Sequence, residues 1–230
     1  MEEFDFKVQI KRSDTRKSVS LFVEEDLVEV LVPKSISYDR IKDVIKKKSL
    51  WIKTKLKENA SKPTLRKKEY ISGESFLYLG KNYRLKVKEG DISSVKLIGG
   101  NLEVTIQTLQ KNREDEVKKL LENWYRNQAE KRLKEKTKRF SKIIGVHPKS
   151  VSIKQFKSRW GSCSAKGELS FNWRIILAPH HIVDYVVVHE LCHLLEHNHS
   201  QRFWKNVEYF LPDWKERKNC LKNFSFIDFS

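Results

Sequence analysis

The sequence predicts an α+β protein in which an N-terminal β-rich module precedes a mainly helical domain. Short segments that alternate apolar and polar residues fill the first half, and long stretches of helical periodicity occupy the second half. A β-hairpin is predicted inside the helical half. We expect the module to span residues 1–110 and to contain one helix, and the second domain to span residues 111–230.

Alternation of apolar and polar residues predicts the strands of the N-terminal module. The alternating segments are residues 6–10, 18–22, 28–32, 69–79, 81–87, 95–98 and 102–106. Glycines between the later segments mark turns. Ser37 is placed to open the helix, which we expect to run to about Glu58.

The second half begins with a long helix and continues with the hairpin. Residues 113–144 place apolar side chains at helical spacing, and Gly145 occupies a C-cap position. Residues 151–154 are expected to form a strand, and residues 169–173 the returning strand of the hairpin. Pro179 lies near the start of the next helix, where proline is tolerated.

That next helix carries a metal-binding motif. Residues 189–193 read His-Glu-x-x-His, with three valines before them and two leucines after them. Because residues four apart share a helix face, His189 and His193 can offer their imidazoles to one metal ion. Glu190 lies about 100° around the helix, where it can reach a water bound to that ion. Burying these groups is costly unless they are paired or bind metal, which disfavours the alternative of two ordinary core histidines.

A zinc site needs a third protein ligand, and two further histidines follow the motif. On a continuous helix His189 and His197 would lie ~12 Å apart, too far to share an ion bound at ~2.0 Å. We expect the helix to stop near Asn198, which tolerates a left-handed conformation, so that His199 becomes the third ligand and Ser200 caps the next helix. Three histidines with an open fourth position are typical of catalytic zinc. The alternatives are His197 as the ligand and His199 as a solvated loop residue.

The residues before the motif are candidates for binding substrate. A hairpin beside the metal helix could offer a free strand edge to an extended peptide, with Trp160 and Gly161 on that edge. Gly161 would permit close backbone approach. Arg159, Arg174 and Tyr185 are candidates for stabilising an oxyanion. The alternative is a hairpin with a structural role only.

The amino-acid composition indicates which kinds of partner the protein can attract. The formal net charge of +17 predicts attraction to polyanions such as nucleic acid, and a solvated lysine-rich surface is the alternative. The cationic residues are densest at residues 46–48, 66–68 and 131–139. No nucleic-acid-binding motif of interleaved aromatic and basic residues accompanies them.

The cysteine content and the termini predict a cytoplasmic protein. Three cysteines without C-x-x-C spacing, Cys163, Cys192 and Cys220, fit a reducing compartment. The acidic N-terminus lacks the apolar run of a signal peptide. No stretch reaches the ~18 apolar residues that a membrane span requires, so we expect no association with a membrane.

Several segments together resemble the YgjP-type metal-dependent hydrolases, which are relatives of the SprT-like and WLM zinc metallopeptidases. These segments are residues 159–164 (Arg-Trp-Gly-Ser-Cys-Ser), 172–174, 179, 184–194, 198–200 and 203–204, with residues 73–74 and 78–80 in the first half. The resemblance covers nearly the whole chain. It implies a zincin-like metallopeptidase domain with zinc on His189, His193 and His199. The position of His199 also resembles the metzincin spacing, but Glu196 stands where those enzymes have glycine, so we do not extend the resemblance to them.

The sequence therefore predicts a zinc-dependent metallopeptidase that acts on a peptide or protein. In the expected mechanism the metal lowers the pKa of its water, and Glu190 takes the proton and passes it to the leaving amine. One alternative is a zinc hydrolase of a non-peptide amide or ester. The other is a basic nucleic-acid-binding protein with a structural or vestigial zinc site, which the presence of Glu190 disfavours because a structural site has no need of it.

Overall fold

The computed structural model describes residues 4–24, 26–60, 68–107 and 112–224. The chain forms two compact units, Met1–Arg66 and Lys67–Ser230. Arg66 and Lys67, which belong to one of the predicted basic clusters, lie outside the described residues. Among the residues described, no helix combines the length and the apolar composition that crossing a membrane would need.

The first unit contains a three-stranded mixed sheet. Strand β3 (Leu27–Pro33) is central, with β1 (Lys7–Ser13) parallel on one side and β2 (Ser20–Glu24) antiparallel on the other. Alternate residues of β3, Val28 and Val30 among them, are fully buried, as the period of two requires. The strands predicted from alternation in this region are confirmed.

Two helices, rather than the one expected, follow this sheet. The predicted cap is confirmed: Ser37 accepts a hydrogen bond at the start of α1 (Tyr38–Lys47). Helix α1 ends at Lys47. Its C-cap residue, Lys48, has a φ of −103° and a ψ of 5°, and α2 (Ser49–Ala60) begins directly after it. A change of dihedral angles at one residue leaves the spacing of the apolar residues intact, so the periodicity gives no sign of the break.

The second unit opens with a four-stranded sheet that packs against the long helix. The strands are β4 (Ser75–Tyr78), β5 (Lys81–Glu89), β6 (Ser94–Ile98) and β7 (Asn101–Ile106), in the order β4-β5-β7-β6. Strands β5 and β7 are parallel, and the other pairs are antiparallel. This sheet shares one hydrophobic core with the long helix. The division into compact units therefore falls at residues 66/67 and not at the expected boundary, residues 110/111.

The long helix α3 (Arg113–Ile144) follows the predicted bounds and forms the centre of that core. Leu121 and Tyr125 are fully buried, and the Tyr125 hydroxyl donates a hydrogen bond of 2.8 Å to the carbonyl of Leu77. Gly145 ends the helix in the left-handed conformation, with a φ of 78°, as predicted for a C-cap glycine.

A hairpin is present, but the strand antiparallel to the predicted returning strand is residues 161–163 rather than residues 151–154, which form a third strand of the sheet. Strands β9 (Gly161–Cys163) and β10 (Glu168–Asn172) are antiparallel, and β8 (Ser150–Lys154) pairs with β10 in parallel. The order β8-β10-β9 places β9 at an edge of the sheet. A 3₁₀ helix, Trp173–Leu177, then leads to α4 (His180–Cys192).

The turn between β4 and β5 fixes the start of α4. The N–H groups of Leu79 and Gly80 donate to the carbonyls of Ile176 (2.8 Å) and Leu177 (3.0 Å) in the 3₁₀ helix. A Cβ on Gly80 would lie 2.7 Å from a carbon of Pro179, the N-cap residue of α4. Gly80 also has a φ of 78°, so both its backbone conformation and this contact require glycine. Two further helices, α5 (Gln201–Phe210) and α6 (Trp214–Asn223), complete the unit.

Candidate metal centre

Three histidines converge where α4 ends and α5 begins. His189 lies in the last turn of α4, His193 is its C-cap residue, and His199 lies just before α5. One ring nitrogen from each histidine lies within 4.8 Å of those of the other two. The Nε2 atoms of His189 and His199 are 3.0 Å apart. His197, the alternative ligand, is not part of this group.

The chain reverses earlier than the sequence indicates. Helix α4 ends at Cys192, and the next turn closes when the N–H groups of Leu195 and Glu196 donate to the Cys192 carbonyl at 3.1 and 3.0 Å. Asn198 does not adopt the left-handed conformation that we expected of it, because this tight turn has already satisfied the carbonyl at the end of the helix. The early stop brings His199 back to the end of α4.

A helix cap holds the position that follows His199. The hydroxyl of Ser200 accepts a hydrogen bond of 3.2 Å from the N–H of Phe203, which confirms the predicted N-cap of α5. The N–H of Ser200 donates to the carbonyl of Asn198 at 2.7 Å. The backbone on the C-terminal side of His199 is therefore fixed by the start of a helix.

The donor set fits a divalent metal ion such as zinc. At zinc–nitrogen distances of ~2.0 Å and tetrahedral angles, two ligand nitrogens lie roughly 3.3 Å apart, close to the 3.0 Å that separates the two Nε2 atoms. Burial, followed by the charges of the other two histidines, lowers the pKa of His189 to about 3, which keeps its imidazole neutral as a ligand must be. The Nδ1 of His193 lies 3.3 Å from the carbonyl of Glu196, so its Nε2 is left free for a metal.

Aromatic rings pack around the three imidazoles. Phe203 stacks on His193 with ring centroids 4.5 Å apart and meets His189 edge-on at 4.9 Å. Trp204 stacks on His199 at 5.5 Å and on Trp214 at 4.4 Å. These contacts restrict the orientations of the imidazole rings, as the surroundings of a metal site commonly do.

A lysine from α6 lies beside this aromatic cluster. The ammonium of Lys218 lies 4.0 Å from the centroid of Trp204, and its positive charge lowers the pKa of His189 and of His199, after the larger effect of burial. Lys218 and Trp214 were not predicted from the sequence, and Trp204 entered there only through the family resemblance. Only the packing of α6 against the end of α4 connects the first two residues to the site, so the sequence carries no local signal for them.

Glu190 is buried beside the histidines. Burial raises the pKa of its carboxyl to about 8, and the positive charge of Arg159 acts in the opposite direction. Within the described residues, no side chain or backbone group donates a hydrogen bond to this carboxyl. Its oxygens are therefore available to water or to a substrate.

Strand β9 contacts this carboxyl through Gly161. A Cβ on Gly161 would lie 2.6 Å from Oε1, 2.7 Å from Cγ and 2.8 Å from Cδ of Glu190. The glycine therefore allows the backbone of β9 to pass directly against the carboxyl. We had expected close approach of a substrate at this position, and the close approach that the structure shows is that of Glu190.

The remaining substrate-binding candidates lie in different surroundings. Tyr185 is buried one turn before His189, with ring centroids 5.8 Å apart, and burial raises the pKa of its phenol to about 12. Arg159 is exposed, and Trp160 is half-buried with its ring 6.1 Å from that of Phe224. The guanidinium of Arg174 stacks on Trp173 at 5.1 Å, and among the residues described it forms no hydrogen bond or ion pair with the histidines or with Glu190.

Comparison with known proteins gives a family match. The profile of the YgjP-like metallopeptidase domain matches residues 17–224. No curated protein matches the chain.

Two solved structures are similar over part of the chain. The crystal structure of the metallopeptidase zymogen of Pyrococcus abyssi abylysin is 24% identical, with a TM-score of 0.37, over 40% of this chain and 92% of that chain. That of Methanocaldococcus jannaschii jannalysin is 18% identical, with a TM-score of 0.37, over 40% of this chain and 94% of that chain. The family profile spans far more of the sequence than either structure, and it confirms the resemblance inferred from the motifs. The chain therefore belongs to the YgjP-like metallopeptidase family and is a metal-dependent hydrolase.

Proposed function

We propose that the protein is a zinc-dependent peptidase in which His189, His193 and His199 hold the metal and Glu190 is the general base. The observation that carries this proposal is the convergence of three imidazoles beside a buried carboxyl. Three neutral nitrogen donors favour zinc over magnesium or calcium, which prefer oxygen ligands. Three protein ligands leave a coordination position free, as catalytic zinc requires.

Glu190 is suited to proton transfer. Bound zinc would supply Lewis acidity, which acidifies a coordinated water and polarises the scissile carbonyl. Glu190 accepts the proton of the attacking water and delivers it to the leaving amine. Burial raises its proton affinity, and contact with Gly161 restricts where its carboxyl can lie. A base with a pKa near the working pH can both take up and release the proton.

We further propose that β9 binds the substrate backbone. Because β9 is an edge strand of its sheet among the residues described, its outer backbone groups could pair with an extended peptide, with Trp160 and Gly161 at the beginning of that edge. Tyr185 is the candidate for stabilising the oxyanion, since its phenol can donate a hydrogen bond and its ring centroid lies 5.8 Å from that of His189. Arg159 lines the approach to this strand.

The proposed location is the cytoplasm. Cys163, Cys192 and Cys220 are all free thiols. Unpaired cysteines are typical of a reducing compartment.

Replacement of the general base tests the mechanism. We expect Glu190→Gln to retain about one zinc per chain and to lose about 10²- to 10⁴-fold in kcat on a quenched fluorescent peptide library. Glu216→Gln, which changes an exposed carboxyl of α6, is the matched control and should keep full activity. Full activity of Glu190→Gln with zinc bound would refute the role of Glu190. Zinc-loaded wild-type protein that cleaves no peptide of the library would contradict the peptidase proposal.

A further inference from the structure

A long part of the sequence before the metal motif contains no acidic residue. Residues 136–167, which we call the acid-free segment, lie between Glu135 and Glu168 and include no Asp or Glu. They carry nine cationic residues: Lys136, Lys138, Arg139, Lys142, Lys149, Lys154, Lys157, Arg159 and Lys166. The segment runs from the last turns of α3 through β8 to the hairpin that adjoins Glu190.

Most of these cations are unpaired. Lys136 and Arg139 share the carboxylate of Asp184, at 2.6 and 3.5 Å. The other seven are exposed, and no carboxylate pairs with them in the part of the chain that the structure describes. Elsewhere, exposed lysines such as Lys7 and Lys88 do form ion pairs. The positive charge of these seven residues is therefore not neutralised by any carboxylate in the described ranges.

A buried amide fixes the part of the segment that lies nearest to the catalytic carboxyl. The side-chain amide of Asn172, which is fully buried, donates to the carbonyls of Phe156 (3.0 Å) and Arg159 (3.3 Å), and its backbone N–H donates to the carbonyl of Trp160 (2.8 Å). The guanidinium of Arg159 lies 4.6 Å from the ring centroid of Phe156. The three hydrogen bonds therefore fix the backbone of this loop to the last residue of β10.

The fixed loop leads directly into the proposed substrate strand. Lys157 and Arg159 precede Gly161, the first residue of β9 and the one that contacts Glu190. A peptide that extends past the beginning of β9 therefore meets these two cations next.

We propose that this peptidase selects acidic peptides and that Lys157 and Arg159 bind carboxylates on the substrate beyond the β9 edge. This inference rests on the proposed peptidase function. Arginine suits a carboxylate because its guanidinium presents paired N–H donors, and a fixed loop reduces the entropy lost on binding. Peptide carboxylates fit better than nucleic acid because the aromatic residues of the loop are engaged: Phe156 lies under Arg159, and Trp160 packs near Phe224. Neither ring is an open platform for stacking of a base.

Binding can be measured without catalysis. The probes are a fluorescein-labelled peptide rich in Asp and Glu, the same peptide with Asn and Gln in their place, and labelled single- and double-stranded DNA. Each is titrated by fluorescence anisotropy into zinc-loaded Glu190→Gln protein, which should leave the peptides intact. We expect the acidic peptide to bind roughly 10-fold more tightly than its amide counterpart, with a difference that shrinks as salt rises.

Two charge-matched double variants locate the effect. Lys157→Gln with Arg159→Gln should abolish the preference for the acidic peptide. Lys138→Gln with Lys142→Gln, which removes two exposed cations from the end of α3, should preserve it. Equal loss in both double variants would overturn the proposal in favour of a general charge effect. Equal affinity for the acidic and the amide peptide would also overturn the proposal. So would DNA binding that displaces the acidic peptide and is lost when Lys157 and Arg159 are replaced.

Activity assays separate this inference from the proposed function. Wild-type protein that cleaves acidic and amide peptides at the same kcat/KM would refute acid selection and leave the peptidase proposal standing. Protein that binds the acidic peptide through Lys157 and Arg159 but cleaves no peptide would refute the peptidase function and leave the binding site standing.

Discussion

A methyl group added at Gly161 would occupy the space of the Glu190 carboxyl. The Cβ of Gly161→Ala would lie 2.6 Å from Oε1, 2.7 Å from Cγ and 2.8 Å from Cδ, whereas ordinary contacts begin at 3.4 Å. The carboxyl must therefore retreat by the difference, about 0.6–0.8 Å, or the strand must move by as much. Gly161 has no left-handed conformation, so the substitution adds no backbone strain of its own.

The size of this displacement sets the expected loss. A misplacement of about 1 Å of a catalytic group can cost roughly 10²-fold in rate, so we expect kcat to fall about 10- to 100-fold. Side chains of a strand stand roughly perpendicular to the sheet, and the new methyl points toward Glu190 rather than along the free edge of β9. KM and zinc content should therefore change little.

Steady-state cleavage of a quenched peptide, measured beside the zinc content, tests this prediction. Gly90→Ala is a matched steric control, because its Cβ would also meet a neighbour too closely, at 2.8 Å from Cγ2 of Thr105, and its φ is not positive. That variant should lose stability by about 1–3 kcal/mol and keep its kcat. If Gly161→Ala had a kcat within twofold of wild type with its fold intact, the argument that contact with Gly161 positions Glu190 would be wrong.

Three further predictions concern stability. Ser200→Ala removes the hydroxyl that accepts a hydrogen bond from the Phe203 N–H. The free energy of unfolding, measured by urea denaturation, should fall by about 1 kcal/mol. An unchanged urea midpoint would show that this cap does not stabilise the protein. In the metal-free protein His189 is neutral when folded, because burial lowers its pKa from 6.5 to about 3, so the unfolded chain takes up the proton below pH 6.5. The free energy of unfolding should therefore fall as pH drops, by about 2 kcal/mol at pH 5 from this group; His189→Leu should flatten the dependence, and an unchanged slope would contradict this assignment. Gly80→Ala would place a Cβ on a residue with a φ of 78° and within 2.7 Å of Pro179. We expect the free energy of unfolding, measured by heat or urea, to fall by at least about 2 kcal/mol. A smaller decrease would mean that this turn can shift.

The sequence predicts elements well where one periodicity dominates. The strands of the first unit and the long helix were predicted from alternation and from helical spacing, and the structure confirms them. The break at Lys48 and the early end of α4 at Cys192 were not predicted. Both depend on the dihedral angles of one or two residues, which change no apolar spacing. The parallel pairing of β8 with β10 is a long-range choice that local patterns do not encode.

The cluster of three histidines could be predicted from the sequence more fully than the residues around it. The spacing of His189 and His193 on a helix brings them together, and the need for a reversal indicated His199. The prediction that Asn198 forms the reversal in a left-handed conformation is wrong. The contact between Gly161 and Glu190, and the position of Lys218 over Trp204, arise from tertiary packing between segments far apart in the chain.

The metal content of the purified protein tests the central claim most directly. After dialysis and reloading with zinc, mass spectrometry of wild-type protein should find close to one zinc per chain. His197→Ala should match it, because His197 lies outside the histidine cluster, whereas His199→Ala should lose most of the metal. Zinc retained by His199→Ala and lost by His197→Ala, or absent from folded wild-type protein, would contradict the three-histidine site on which the proposed function depends.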